Sequence, residues 1–249
     1  MEIYISTVIF ILGTIFGSFL NVVIYRLPQK ESIIVGRSHC PKCNHVIRPA
    51  ELIPILSYIL LRGKCKECKA AISIRYPLIE AITGLLFLIS YLTFGISAQL
   101  LIALPLTMIL IVITMIDIDT LEIYDRFQIM LFILALINLM ISPLPWIDHV
   151  IGFFIISIPF YIIALLTNGM GGGDIKLIAI AGFLLGYQAT LVTFFISTLT
   201  GSIWAIYLLI IKKSGRKTQL PFGPFLCIGI FIAYHYADAI IQTYLNLWL

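Results

Sequence analysis

Charge is what this 249-residue sequence has least of: 11% of its residues are Asp, Glu, Lys or Arg, against 61% hydrophobic. With a mean hydropathy of +1.07, that balance excludes an ordinary soluble domain and, even more firmly, a disordered chain. Histidine is scarce at four residues, and cysteine at five. There is no His-Glu-x-x-His pair, no Gly-Lys-Ser phosphate loop and no Ser/His/Asp set, which removes the zinc-protease, P-loop and serine-hydrolase chemistries. The first apolar run, 3–25, contains no charged residue, follows no basic segment and precedes no small-residue cleavage site. It reads as a retained helix, not a signal peptide.

What is present in quantity is apolar sequence in runs near bilayer-spanning length. Eight spans are predicted, at 3–25, 76–94, 98–116, 127–141, 149–167, 175–186, 187–211 and 222–245. The sixth is short, its boundary with the seventh at Gly186-Tyr187 is faint, and Pro105 and Pro159 predict kinks in the third and fifth. Of 16 Lys plus Arg, ten lie from Arg26 to Arg75; the rest are Arg126, Lys176, Lys212, Lys213, Arg216 and Lys217. Alternating eight spans with the first loop inside puts all sixteen on the cytoplasmic face, as basic residues prefer. Both termini are then outside. The net charge of +4 reflects this topology and is no sign of nucleic-acid binding; a basic inner surface suits membrane lipids with anionic headgroups.

The expected fold is therefore all-α: a polytopic membrane protein of about eight transmembrane helices with a small cytoplasmic insert. Three regions follow: 1–25, the first transmembrane helix; 26–75, the insert; and 76–249, a transmembrane helical core. The insert holds Cys40-Pro41-Lys42-Cys43 and Cys65-Lys66-Glu67-Cys68. Two such knuckles supply Cys40, Cys43, Cys65 and Cys68 as four thiolates for tetrahedral zinc, a closed and hence structural site. Disulfides are disfavoured in the cytoplasm. His39 and His45 flank the first knuckle as alternative ligands, and Cys227 reads as a small apolar core residue.

Ionisable groups at membrane depth are functional candidates: Glu80, Asp117, Asp119, Glu122, Asp125, Asp174 and Asp238. Asp125 is expected to cap the fourth span, Glu80 to pair with Arg75 or Arg26, Asp238 to be solvated or paired with His235, and Asp119 and Glu122 to be solvated. Asp174 ends the glycine-dense stretch from Asn168 to Asp174 (Asn-Gly-Met-Gly-Gly-Gly-Asp), more glycine than a helix cap requires. The topology puts Asp117 and Asp174 on the same side, so the two can meet. Two adjoining carboxylates share a proton and can activate water, as in aspartic proteases. They serve equally well in a proton- or ion-coupled carrier, and spacing alone leaves both readings open.

Several motifs in order resemble one family: Gly17-Ser18-Phe19-Leu20-Asn21 through Arg26-Leu27-Pro28, the two knuckles, Arg75-Tyr76-Pro77-Leu78-Ile79-Glu80, Ile116-Asp117-Ile118-Asp119, Gly171-Gly172-Gly173-Asp174-Ile175-Lys176-Leu177 and Pro221-Phe222-Gly223-Pro224-Phe225. Together they resemble the bacterial type IV prepilin peptidases, membrane aspartic proteases of the GxGD type, over nearly the whole chain. The resemblance implies that Asp117 and Asp174 are the catalytic pair. It also implies that the substrates are prepilins or pseudopilins, cut after a glycine that ends a short basic leader, at the cytoplasmic face of the inner membrane. It further implies N-methylation of the new N-terminus with S-adenosylmethionine. The chain departs from the family at Tyr124, where proline is common, and at Leu52-Ile53-Pro54, where Asn-Ile-Pro is common.

Overall fold

The computed structural model describes residues 2–167, 169–211 and 220–248. Asn168 of the glycine stretch and the basic residues Lys212, Lys213, Arg216 and Lys217 lie outside them. Helices dominate the described residues, and the only β pairing among them is two isolated bridges, His39 with Val46 and Lys64 with Ala71. The chain divides into two compact units, Met1–Leu100 and Leu101–Leu249.

The first unit is built on two long helices, α1 (Glu2–Arg26) and α3 (Arg75–Phe94), with the short α2 (Leu56–Leu60) in the insert between them. Lipid gives no hydrophobic drive for helices to associate, so close backbone approach must hold the pair. A Cβ at Gly13 would lie 2.7 Å from the Gly84 Cα, and one at Gly17 would lie 2.7 Å from the Glu80 Cα. Gly13-x-x-x-Gly17 is thus a small-residue face seated on α3. Asn21 adds a hydrogen bond from Nδ2 to the Tyr76 carbonyl at 3.1 Å. At the end of α1, the buried Arg26 guanidinium donates to the carbonyls of Ser32, Val35, Gly36 and Arg37. It folds the following loop around itself, so it is not the predicted partner of Glu80.

The second unit contains α4 (Ala98–Thr120), α5 (Asp125–Ile141), α6 (Trp146–Ile155), α7 (Ser157–Thr167), α8 (Gly172–Leu185), α9 (Tyr187–Ile211) and α10 (Gly223–Trp248). Every predicted span has its helix, with α6 and α7 sharing the fifth. Six described spans are long and apolar enough to cross a bilayer: α1, α3, α4, α6 with α7, α9 and α10. The other two, α5 at 17 residues and α8 at 14, reach only about 26 Å and 21 Å. This is a multi-pass membrane protein. The faint boundary at Gly186 is real: φ is +81° there, a conformation suited to glycine, and α9 begins at the next residue. Pro105 sits inside a continuous α4. The fifth span breaks at Ile156, three residues before Pro159, because the proline ring crowds the carbonyl four residues back, that of Ile155.

A short helix in the membrane must still satisfy its terminal carbonyls. For α8, side chains from its neighbours do this. Asn138 of α5 donates to the Leu184 carbonyl at 2.9 Å, and the fully buried His149 of α6 places Nδ1 2.8 Å from the Phe183 carbonyl. A carbonyl only accepts, so Nδ1 carries the proton, and Nε2 accepts from the Ser142 hydroxyl at 3.1 Å. Between these bonds the backbones of α6 and α8 touch: a Cβ on Gly152 would collide with the Gly182 carbonyl, and the converse also holds. The α9–α10 seam uses Thr193 and Ser197, fully buried and bonded to their own i−4 carbonyls, against Gly229.

Candidate active site and metal centre

Asp117 lies in the last two turns of α4 and is 5% exposed. The helix ends just beyond it at Leu121, whose φ is +57° and whose N–H caps the Asp117 carbonyl at 2.9 Å. The chain then turns through residues 121–124 into α5. In that turn Ile123 packs against two glycines of other elements. Its Cβ lies 3.0 Å from where a Cβ of Gly173 would be, and its Cδ1 lies 3.3 Å from where one of Gly223 would be. The two glycine motifs therefore serve one packing arrangement, with Ile123 seated between α8 and α10.

Asp174 is the third residue of α8, behind an N-cap at Gly171 whose φ and ψ are −70° and 138°. It is therefore not the helix cap; its backbone N–H returns to the Gly171 carbonyl at 3.2 Å. A Cβ at Gly171 would sit 3.2 Å from Asp174 Oδ2, whereas Gly172 has open space around it. Asp174 Oδ1 is buried with no hydrogen-bond partner among the described residues. Asp117 and Asp174 line a single cavity of about 360 Å³, together with Glu122, Ile123, Tyr124 and Asp125. The two aspartates that the expected topology allows to meet thus line one cavity.

Three contacts around this cavity were not anticipated. The Gly223 N–H, at the start of α10, donates to Asp117 Oδ2 at 3.0 Å. A Cβ at Gly223 would come within 2.7 Å of that same oxygen. The 2%-exposed Gln128 donates from Nε2 to the Gly173 carbonyl at 3.2 Å, and its Oε1 has no partner among the described residues. Asp125 opens α5 as its first residue, with Tyr124 at the N-cap and no side-chain cap bond. Its predicted capping role gives way to an exposed ion pair with Lys176, 2.7 Å long, joining the rim of the cavity to α8. A polar residue inside the apolar run 127–141 was the available sequence signal for Gln128. Nothing local marked Gly223 beyond its motif.

Of the remaining candidates, only Glu122 borders this cavity. Asp119 and Asp238 are exposed, and Glu122 is exposed at the cavity rim. Nδ1 of His235 lies against the Phe231 carbonyl. Glu80 is buried and accepts the Ile55 N–H at 2.7 Å, with Ser18 also hydrogen-bonded to it. Cys227 is buried in α10, as expected for a core residue.

In the first unit, the two knuckles fold alike. In each, the backbone N–H of the first cysteine bonds five residues on, Cys40 to the His45 carbonyl and Cys65 to the Ala70 carbonyl. In each, the residue after the second cysteine is left-handed: Asn44 at φ +57° and Lys69 at φ +59°. The four sulfur ligand atoms lie within 4.8 Å of one another, with Cys40–Cys68 at 3.8 Å and Cys43–Cys65 at 3.9 Å. A tetrahedron of thiolates about 2.3 Å from zinc has edges of about 3.8 Å, while a disulfide needs about 2.05 Å. Backbone N–H groups of Lys42 and then Cys43 pull the Cys40 thiol down, while burial and the neighbouring sulfurs push the Cys43 thiol up. His45 is not a ligand: its Nε2 meets Glu51 at 3.1 Å, and Lys66 meets the same carboxylate at 3.3 Å. His39 Nδ1 lies 3.3 Å from the Arg37 carbonyl.

Both units are similar to known sequences. Residues 11–94 match the bacterial peptidase A24 N-terminal domain, and residues 104–206 match the type IV leader peptidase family. The four cysteines fall in the first match, and Asp117 and Asp174 in the second. Relatives named prepilin leader peptidase/N-methyltransferase match nearly end to end. One from Bacillus subtilis is 38% identical, covering 97% of this chain and 98% of its own. One from Aeromonas hydrophila is 36% identical, covering 96% and 93%, and one from Pseudomonas aeruginosa is 36% identical, covering 95% and 92%. No solved structure matches the chain. With aspartates from two helices on one cavity and kinship over its full length, the chain belongs to the type IV leader peptidase family.

Proposed function

We propose that this protein is a membrane aspartic endopeptidase. In this reading it removes the short basic leader of type IV prepilins or pseudopilins after a glycine, at the cytoplasmic face of the inner membrane, and N-methylates the new N-terminus. The observation that carries the reading is the shared cavity of Asp117 and Asp174 in a chain whose relatives bear peptidase names from end to end. That kinship weighs against a carrier built on the same carboxylates. The basic residues favour an inward-facing insert, with both termini outside.

The chemistry follows from the pair. Two carboxylates brought together on one peptide bond hold one proton between them. The ionised one takes a proton from water as the water oxygen attacks the scissile carbonyl carbon. The protonated one gives its proton to the carbonyl oxygen. Collapse of the tetrahedral intermediate breaks the C–N bond: the leaving nitrogen takes the proton held by the first aspartate, and one hydroxyl of the intermediate returns its proton to the second as it becomes the new carbonyl, restoring the one-proton pair. The open space at Gly172 leaves room beside Asp174 for an extended substrate backbone.

Zinc fits the four-cysteine cluster by distance and donor type and would hold the insert folded, leaving no open position for substrate. S-adenosylmethionine supplies the methyl group in this reading; the sequence has no glycine-rich nucleotide loop to mark where it binds. The test is mass spectrometry of a prepilin incubated with purified protein and S-adenosylmethionine. A shortened product establishes cleavage, and one added methyl mass establishes transfer. Asp117→Asn and Asp174→Asn should each yield folded protein and no shortened product; full processing by either overturns the assignment of the pair.

A further inference from the structure

The insert carries a run of exposed apolar side chains that a small zinc-held module has no reason to show to water. Leu52, Ile53, Leu56, Ile59 and Leu60 are 40%, 46%, 57%, 62% and 79% exposed. Clustered exposure of this kind marks an interaction surface.

The height of this run relative to the membrane is fixed by one hydrogen bond. The Ile55 N–H donates to the Glu80 carboxylate at 2.7 Å, and Glu80 lies five residues into the spanning helix α3, about 7.5 Å from its start. At 20 residues, α3 is about 30 Å long, no more than the hydrocarbon core requires. Ile55 is therefore at the membrane boundary, not out in the aqueous phase. The half-exposed Tyr25 and Tyr76, at the facing ends of α1 and α3, mark the same level. Ile55 has a φ of +61°, unusual for a β-branched residue, and the buried Glu80 fastens the turn that leads into α2.

The charges beside the run have the matching sign. Arg62, Lys64, Lys66 and Lys69 border a cavity of about 290 Å³ with Leu60 and Leu61. Among the described residues, the carboxylate paired with this group is Glu51, on Lys66. Apolar side chains beside unneutralised cations at the end of a spanning helix fit an anionic lipid surface. A substrate with a basic leader fits less well, since these cations repel it.

We propose that residues 52–60 are an interfacial membrane anchor. The apolar side chains of α2 and the turn before it enter the leaflet at this end of α3, and Arg62, Lys64 and Lys69 take anionic phospholipid headgroups. Glu80 holds the anchor at its depth. The inference rests on the first unit alone and stands whether or not Asp117 and Asp174 cut peptides.

The test uses the full chain in lipid nanodiscs, with Trp146, Trp204 and Trp248 replaced by Phe and one reporter introduced, either Leu60→Trp or Ile59→Trp. Emission of both reporters should be blue-shifted and quenched by lipids brominated near the headgroup end of the acyl chain. Quenching should be several-fold stronger than for Glu67→Trp, on the exposed second knuckle. Replacing phosphatidylglycerol by phosphatidylcholine should weaken the quenching, and Arg62→Glu with Lys69→Glu should remove that lipid dependence. Water-like emission without quenching at both positions overturns the anchor. So does quenching that appears only on adding a prepilin with brominated phenylalanine in its apolar stem, which would make the face a substrate surface.

Discussion

The backbone N–H of Gly223 donates to the carboxylate of Asp117 at 3.0 Å, across 106 positions of sequence. The first turn of α10 has few other donors to offer. Pro224 has no N–H, and those of Phe225 and Leu226 return to the Phe222 carbonyl. The Pro-Phe-Gly-Pro-Phe motif thus aims one N–H at the aspartate and leaves no side chain in its way. Gly223→Ala places a methyl group 2.7 Å from Asp117 Oδ2. We expect leader cleavage to fall about 100-fold, the scale of a 1 Å misplacement, with little change in thermal unfolding. Gly201→Ala in α9 is the control: its Cβ position meets nothing nearer than 3.4 Å, and its turnover should match the parent. Steady-state kinetics and differential scanning fluorimetry on both variants check the contrast.

Gln128 holds the other side of the pair. Its amide donates to the Gly173 carbonyl, one residue before Asp174. Gln128→Leu leaves that carbonyl without its donor, a loss of about 1–3 kcal/mol. Gln128→Glu keeps the shape but also loses the donor. Both should lower kcat while leaving KM for the prepilin near its original value. A raised KM at constant kcat would mean that Gln128 contacts substrate instead.

The metal prediction concerns the insert. Purified protein should contain about one zinc per chain by elemental analysis, as a closed four-thiolate site requires. Cys65→Ser should lose the metal and expose residues 26–75 to limited proteolysis, because binding energy at such a site is folding energy. The spanning helices should keep their circular dichroism. Unchanged protease resistance in the metal-free variant would remove zinc from the folding of the insert.

Gly152→Val should be among the most damaging substitutions outside the cavity. Its side chain meets the carbonyl of Gly182 and the backbone of Gly186, and backbone cannot rotate away as a side chain can. Destabilisation of about 3 kcal/mol or more is expected, at the upper end for overpacking. It should be visible as a lower thermal midpoint in detergent and a loss of folded yield.

How much of this was legible in the sequence depended on range. The apolar runs gave the helices to within a few residues, since lipid forces each span to satisfy its own backbone. Charge asymmetry put Asp117 and Asp174 on one side, and two short motifs gave the sulfur cluster. What escaped were the polar contacts that one helix makes to its neighbours. Asn138 and His149 look like stray polar residues in apolar runs until α8 proves too short to hide its own carbonyl ends. Asp125 has the sequence of a cap, yet α5 begins one residue early and its carboxylate turns to Lys176. Glu80 suggested a cationic partner and found a backbone N–H at a strained isoleucine. Each of these depends on which helix becomes a neighbour, and hydropathy does not encode that.

The contact between Gly152 and Gly182 also makes α8 a lever. Its far end is clamped by backbone against backbone, with Asn138 and His149 beside the clamp, while Asp174 sits eight residues away at the glycine-rich end. That arm is about 12 Å long, so a tilt of about 5° around the fulcrum carries the carboxylate about 1 Å. The Gln128 bond to the Gly173 carbonyl and the Lys176–Asp125 pair brace that end against such a tilt, so the spacing of the two aspartates is set by α5 as much as by α8 itself.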